Sequence, residues 1–243
     1  MALLLVTGAS TGLGLATATT LASGGHDVVL HARNADRIED VRVLEQMYDV
    51  VYGDLSRREE TAEVARRADA IGRFDAVVHN AGVMRGDDVL TVNTVAPFVL
   101  TAIMTPPKRA IFLSSGLHHS GSPQRLAPDF ARPGRTSYGD SKLFVTALAL
   151  ALAHRLPQTL SHAVDPGWVP TRMGGPSAPE SLEDGHRTQV WLATADTDSI
   201  DPRTGGYWYH QAAQAPHPAA SDPGFQDAVV DALEARTGIP LPA

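Results

Sequence analysis

The 243-residue chain contains no cysteine. That excludes disulfides, thiolate catalysis and cysteine-ligated zinc. Lysine is almost absent: of 20 basic residues only Lys108 and Lys142 are lysines. Acidic residues outnumber basic ones and the net charge is −7, which argues against nucleic acid as the main partner. No apolar run approaches the roughly 18 residues needed to cross a bilayer. The apolar start, Met1–Val6, lacks a basic lead-in and runs directly into a glycine loop. It therefore reads as a buried strand rather than a signal peptide, and a cytoplasmic setting is expected. Against these absences, 43% hydrophobic content is enough for a sizeable core.

Short apolar runs alternate with helical patterns along the chain. Leu3–Val6, Val28–His31, Val50–Tyr52, Ala76–His79, Ala110–Leu113, Leu160–Val164 and Gly206–His210 read as strands. Helical patterns lie near 12–23, 36–46, 57–71, 88–104, 136–155, 182–195 and 223–236. Ser56 and Glu59 have the spacing of a capping box. Repeated strand–helix units predict an α/β fold, a single domain with a doubly wound parallel sheet of about seven strands and helices on both faces. The stretches 116–135 and 166–179 read as loops following strand ends, where such sheets bind ligands. Asp201–Arg203 and 211–222 read as solvated loops.

Thr7-Gly8-Ala9-Ser10-Thr11-Gly12-Leu13-Gly14 follows the first strand and opens the first helix. In that context Gly8 permits a tight turn, Gly12 lets backbone approach a pyrophosphate, and Gly14 permits close helix–sheet packing. The helix N-terminus offers unpaired N–H groups to the phosphates. After the second strand, where an acidic residue would bind a ribose 2′-hydroxyl, the chain has Ala32 and Arg33. A carboxylate would repel a 2′-phosphate and a guanidinium would grip it, so NADP(H) is expected over NAD(H). Ser10 and Thr11 offer further hydroxyl donors.

Lys142 lies four residues after Tyr138, on the same face of any helix. With five Tyr and two Lys, chance predicts roughly 0.04 such pairs. An ammonium near a phenol favours the phenolate, and a phenol so tuned can exchange a proton with a substrate oxygen. His118 and His119 lack a carboxylate at ligand spacing, so no metal site is expected and both are placed in a loop near the substrate. Trp191 reads as core; Trp168, in a Pro-rich segment, is the best candidate for a substrate contact.

Together these motifs resemble the short-chain dehydrogenase/reductase family, in its single-domain Rossmann-type branch. The resemblance runs from Leu3 to about Trp208 and is nearest to retinol-dehydrogenase-like and bacterial ketoreductase members. It implies a glycine motif at Thr7, Gly12 and Gly14, an adenine contact at Asp54 beside Leu55, and the segment Asn80-Ala81-Gly82 along the cofactor. It implies Asn93, Ser115, Tyr138 and Lys142 as the catalytic set. It also implies that Pro166, Gly167, Val169 and Thr171, in a substrate lid spanning 166–182, close over the nicotinamide.

On that resemblance Tyr138 exchanges the proton and Ser115 orients the carbonyl oxygen. Lys142 holds the ribose and lowers the Tyr138 pKa, and Asn93 places a water beside Lys142. The expected activity is hydride transfer between NADP(H) and a carbonyl or secondary alcohol of a small to medium organic substrate. The alternative is an NADP(H)-sensing protein with little turnover, against which the complete catalytic set counts. A sugar-nucleotide epimerase is disfavoured by the glycine spacing. The links from Gly82 to Asn93 and after Met104 are short for the family. They cast doubt on its usual dimer interface and leave a monomer or another homo-oligomer.

Overall fold

The computed structural model describes residues 1–132 and 134–242. The strands are β1 (Leu3–Val6), β2 (Asp27–Ala32), β3 (Asp49–Tyr52), β4 (Ala76–His79), β5 (Arg109–Leu113), β6 (Leu160–Asp165), β7 (Tyr207–Tyr209) and β8 (Ala212–Gln214). They form one sheet in the order β3-β2-β1-β4-β5-β6-β7-β8, parallel except for β8. The order reverses between β1 and β4, and a parallel sheet binds its ligand at such a reversal, beyond the carboxyl ends of the strands. The helices are α1 (Gly12–Ser23), α2 (Arg58–Ile71), α3 (Ala96–Ile103), α4 (Leu126–Ala131), α5 (Tyr138–Arg155), α6 (Leu182–Thr194) and α7 (Pro223–Thr237).

The apolar strand runs follow from burial on both faces. Leu4 and Val6 point into a layer with Ala18 and Leu21 of α1 and Leu192 of α6. Leu5, between them, points into the opposite layer with Val64 and Ala68 of α2. Strand β5 divides likewise, with Ile111 on the α1–α6 side and Ala110 and Phe112 against α5. Successive side chains of a strand face opposite ways, so a layer on each side demands apolar residues throughout.

Five local expectations change. The loop expected over 116–135 holds α4 and two 3-10 turns, Gly116–Ser120 and Pro123–Arg125, with Leu126 of α4 buried. The 36–46 helix is two 3-10 turns, Ala35–Arg37 and Val41–Gln46. Neither turn holds a buried residue; Ile38 between them is buried and Val43 and Leu44 pack partly against the core, a face too narrow to support an α-helix. The capping box is absent: α2 starts after Arg57 with no side-chain cap. Glu60, not Glu59, reaches back, accepting the Asp54 N–H at 2.8 Å. The 88–104 helix carries a π turn at Thr91–Val95. Pro97 has no N–H to give the carbonyl four residues earlier, that of Asn93, and its ring crowds it. Finally, β8 falls within the expected loop 211–222. His210 and Gln211, at φ 48° and 60°, form the two-residue left-handed turn that suits a hairpin.

Candidate active site

The glycine loop leaves β1 at the sheet's reversal point. Gly8 has φ +63°, and a Cβ there would lie 2.8 Å from Ala81 Cα. A Cβ at Gly14 would lie 2.4 Å from Asn80 Nδ2 and 2.6 Å from the Gly8 carbonyl. Asn80 Nδ2 donates to the Thr7 carbonyl at 2.8 Å, and the Ala81 N–H donates to Thr7 Oγ1 at 3.1 Å. The Asn-Ala-Gly segment thus braces the glycine loop directly. The first turn of α1 carries no acidic residue, and Thr11 makes no side-chain cap bond. Its leading N–H groups suit an anion, so the cradle fits a dinucleotide phosphate. Ser10, Thr11 and Gly12 also line a cavity of about 240 Å3 with Ile38, Glu39 and Asp40.

His31 belongs to this cradle although no motif marks it. Its Nδ1 accepts the Gly8 N–H at 3.0 Å and its Nε2 donates to the Gly53 carbonyl at 3.0 Å. The only sequence signal was a polar residue ending an apolar run. Arg33 and Asp54 meet at 3.5 Å, which brings the two expected adenosine-side residues together. Burial pushes the Asp54 carboxyl up, but bonds from Ser56 and the charge of Arg33 outweigh it and leave it below its ordinary value.

At the ends of β5 and β6 the other expected residues converge. Ser115 accepts the Leu117 N–H at 3.2 Å and starts a 3-10 turn at Gly116–Ser120. Tyr138 opens α5, whose N-cap Ser137 accepts the Asp140 N–H. One turn on, Lys142 Nζ lies 5.5 Å from the Tyr138 ring centre and donates to the Leu113 carbonyl at 2.6 Å. Asn93, in the π turn, is fully engaged: Oδ1 accepts from Val83 N, while Nδ2 donates to the Val83 carbonyl and to Ser141 Oγ. Gly82 separates it from the lysine, since a Cβ there would lie 3.4 Å from Asn93 Oδ1 and 3.7 Å from Lys142 Nζ.

The electrostatics correct one expectation. Burial raises the Tyr138 pKa to about 12; the Ser115 hydroxyl opposes this and the Asp165 charge adds to it. Desolvation is the largest cause, and Lys142 is not among the groups that move this phenol. Burial also lowers Lys142 to about 8, with Asp165 opposing. The chain's own groups therefore keep Tyr138 protonated.

A buried ammonium is costly. Its folded pKa lies below the unfolded value of about 10.4, so stability contributed by this group rises between about pH 8 and that value. At neutral pH, Lys142→Met removes the penalty but leaves the Leu113 carbonyl without its donor. The balance favours the variant by roughly 1–2 kcal/mol, so a thermal melt at pH 7 should show a higher Tm together with lost activity. A lower Tm would show that the ammonium stabilises the fold.

A family model for short chain dehydrogenases matches residues 2–181. The chain belongs to this family. Short-chain dehydrogenase chry4 of Gibberella zeae is 38% identical over 100% of both chains. The Streptomyces sp. strain C5 protein that carries the name daunorubicin C-13 ketoreductase DnrU is 28% identical, over 96% of this chain and 92% of its own. A short chain dehydrogenase from Escherichia coli CFT073, crystallised with NADPH, superposes with a TM-score of 0.68 at 25% identity, over 87% of this chain and 97% of that one. The protein is therefore an oxidoreductase that uses a nicotinamide cofactor. Among the described residues no helix is long and apolar enough to cross a membrane.

In this short-chain dehydrogenase the segment after β6 is held by residues that motif reading missed. Asp165 Oδ1 accepts the Gly167 N–H at 3.0 Å, and a Cβ at Gly116 would lie 3.0 Å from Asp165 Oδ2. Glu180 accepts the Trp168 N–H at 2.8 Å and pairs with His210 at 2.9 Å. A Cβ at Gly167 would fall inside that carboxylate. Val169 is buried against Gly185 of α6, while Thr171 faces Gly12 of the phosphate loop. Trp168 is 55% exposed, its Nε1 donating to the Gly174 carbonyl at 2.8 Å, and Leu117 and Met173 are exposed too. Trp191 meets Trp208 edge to face at 5.1 Å and packs, partly buried, against the core. His118 differs from expectation: it is buried, with Nδ1 on the Ser115 carbonyl and Nε2 on His217 N.

Proposed function

We propose that the protein is an NADP(H)-dependent carbonyl reductase or secondary-alcohol dehydrogenase. The observation that carries this is the convergence of Ser115, Tyr138 and Lys142 at the ends of β5 and α5, beside the glycine cradle. When bound, the nicotinamide supplies or accepts the hydride. Ser115 hydrogen-bonds the carbonyl oxygen and orients it. Tyr138, held protonated by burial, donates its proton to that oxygen as negative charge develops there. Lys142, charged below about pH 8, holds the cofactor ribose. Asn93 shapes the turn that leads solvent toward Lys142. The segment 166–182 acts as a lid, and exposed Leu117, Trp168 and Met173 favour a substrate with apolar surface. The short links before Asn93 and after Met104 support a monomer, or a homo-oligomer built on other surfaces. An NADPH-oxidation assay across a carbonyl panel tests the reading; binding of NADPH without turnover of any carbonyl would replace it with a sensor role.

The NADP(H) preference rests on Arg33 and on the lack of an acidic residue from His31 to Asn34. The ion pair of Arg33 with Asp54 is long, with Nε at 3.5 Å, so a 2′-phosphate can recruit the guanidinium donors. Arg33→Ala should weaken NADPH binding about tenfold or more while changing NADH binding little. Fluorescence titration with both dinucleotides checks this, and equal losses would refute the 2′-phosphate role.

A further inference from the structure

Arg172 belongs to no motif of the family resemblance, yet it crosses the cofactor cleft. The lid backbone that carries it is organised: Thr171 N donates to the Val169 carbonyl at 2.8 Å, Gly174 N to Thr171 Oγ1 at 3.2 Å and Gly175 N to the Thr171 carbonyl at 2.8 Å. With Val169 buried against α6, this turn is fixed above the phosphate loop. The Thr171 methyl would lie 3.4 Å from a Cβ placed on Gly12. From there Arg172 Nη2 reaches Glu39 Oε1 at 3.0 Å. Glu39 lies in the segment after β2 and lines the cavity shared with Ser10, Thr11 and Gly12. The pair therefore spans the loop on which the dinucleotide phosphates would rest.

The partner is a poor match for so placed a cation. Both side chains are largely exposed, 65% for Arg172 and 72% for Glu39, and pairs this exposed contribute little. Arg33 and Arg42 of that rim also face carboxylates, Asp54 at 3.5 Å and Asp40 at 2.7 Å, and Arg33 is the 2′-phosphate candidate. A phosphate oxygen offers a guanidinium a stronger, forked acceptor than one exposed carboxylate oxygen. We propose that Arg172 is a phosphate ligand of the bound dinucleotide, that Glu39 holds it in reserve, and that the exchange from Glu39 to phosphate ties the lid to the cofactor. The proposal rests on the nicotinamide-dinucleotide reading of the glycine cradle. Only the Arg172 side chain need swing, because Thr171–Gly175 fixes its backbone. Glu39 is then a competitor of the cofactor.

The two residues therefore have opposite signs in a binding experiment. Dissociation constants for NADPH and NADH are measured by fluorescence titration of the purified chain, with no substrate present. Arg172→Ala should weaken NADPH binding about tenfold. Glu39→Gln should tighten it about two- to fivefold, since the competitor is gone. An Arg172→Ala loss for NADPH alone assigns the contact to the 2′-phosphate; an equal loss for NADH assigns it to the pyrophosphate. The proposal is overturned if Arg172→Ala leaves both constants unchanged, or if both variants weaken binding alike, which would make the pair a structural strap. If the wild-type chain binds neither dinucleotide, the cofactor reading itself is what fails.

Discussion

Tyr138→Phe should reduce NADPH-dependent carbonyl reduction by about 10²–10⁴-fold, the usual share of a positioned general acid, while NADPH binding changes by less than about twofold. The substitution removes one oxygen from a half-buried ring and leaves Ser115, Lys142 and the glycine cradle in place. Because burial holds the phenol near 12, the proton to be donated is present throughout the neutral range. Reduction by the wild type should therefore be flat with pH until Lys142 begins to lose its charge near 8, and fall above that. Single-turnover kinetics with the variant isolate the chemical step from cofactor binding. Near-normal turnover in Tyr138→Phe would remove the phenol from the mechanism.

The second large effect concerns acid. Four histidines are buried: His31, His79, His118 and His162. Burial lowers His31, His118 and His162 to about 4, and His79 to about 3. Their hydrogen bonds explain why the charged form is excluded. His31 Nδ1 accepts from Gly8 N, His118 Nε2 accepts from His217 N, and His162 Nδ1 accepts from Trp208 Nε1 at 3.0 Å. A proton on any of these nitrogens would set donor against donor. His79 stacks on Phe112 at 4.4 Å, and its Nδ1 has no partner.

The sign of the resulting pH dependence is fixed. Folded values lie below the unfolded value of about 6.5, so between them the unfolded chain binds more protons than the native one. Stability is fully present above about pH 6.5 and is lost as pH falls toward 4. Each group contributes up to about 1.4 kcal/mol per pH unit in that window, so the four together approach about 5 kcal/mol per unit. A domain with a stability of about 5–15 kcal/mol should then unfold within roughly two units below neutrality. Urea denaturation at a series of pH values measures the slope. An uptake of less than one proton on unfolding, over that window, would show that these histidines charge within the fold. Acid would also loosen the cofactor cradle first at His31, which joins the glycine loop to the Gly53 end of β3.

Much of this protein was legible in its residues because the relevant physics is local. A strand buried on both faces must be apolar throughout, so seven strands could be placed within a residue or so. A loop that approaches phosphate and packs a helix against a sheet needs glycine at Gly8, Gly12 and Gly14. Tyr138 and Lys142 meet because four residues make about one helical turn. Where local signals were weak, the reading failed. The 36–46 segment has an apolar pattern but offers the core only Ile38, Val43 and Leu44, so it breaks into short turns. The hairpin to β8 turns on His210 and Gln211, which lack the Asn-Gly signature and adopt left-handed backbone only because β7 offers a free edge.

From residues alone came the layered α/β architecture, the glycine loop and the Tyr138–Lys142 pairing, since these follow from side-chain period, backbone freedom and helical spacing; Asn93 and Ser115 came from the family resemblance. The tertiary structure alone decided the environment of those groups. Desolvation at the end of β5 sets Tyr138 above its ordinary pKa despite the lysine one turn away. His31, Asp165 and Glu180 enter the site through contacts with residues distant in the chain. Arg172 reaches Glu39 across 133 positions of sequence, because the segment after β6 folds back toward the glycine loop. Spacing reports what a helix or strand brings together; burial and long-range contact depend on how the layers close.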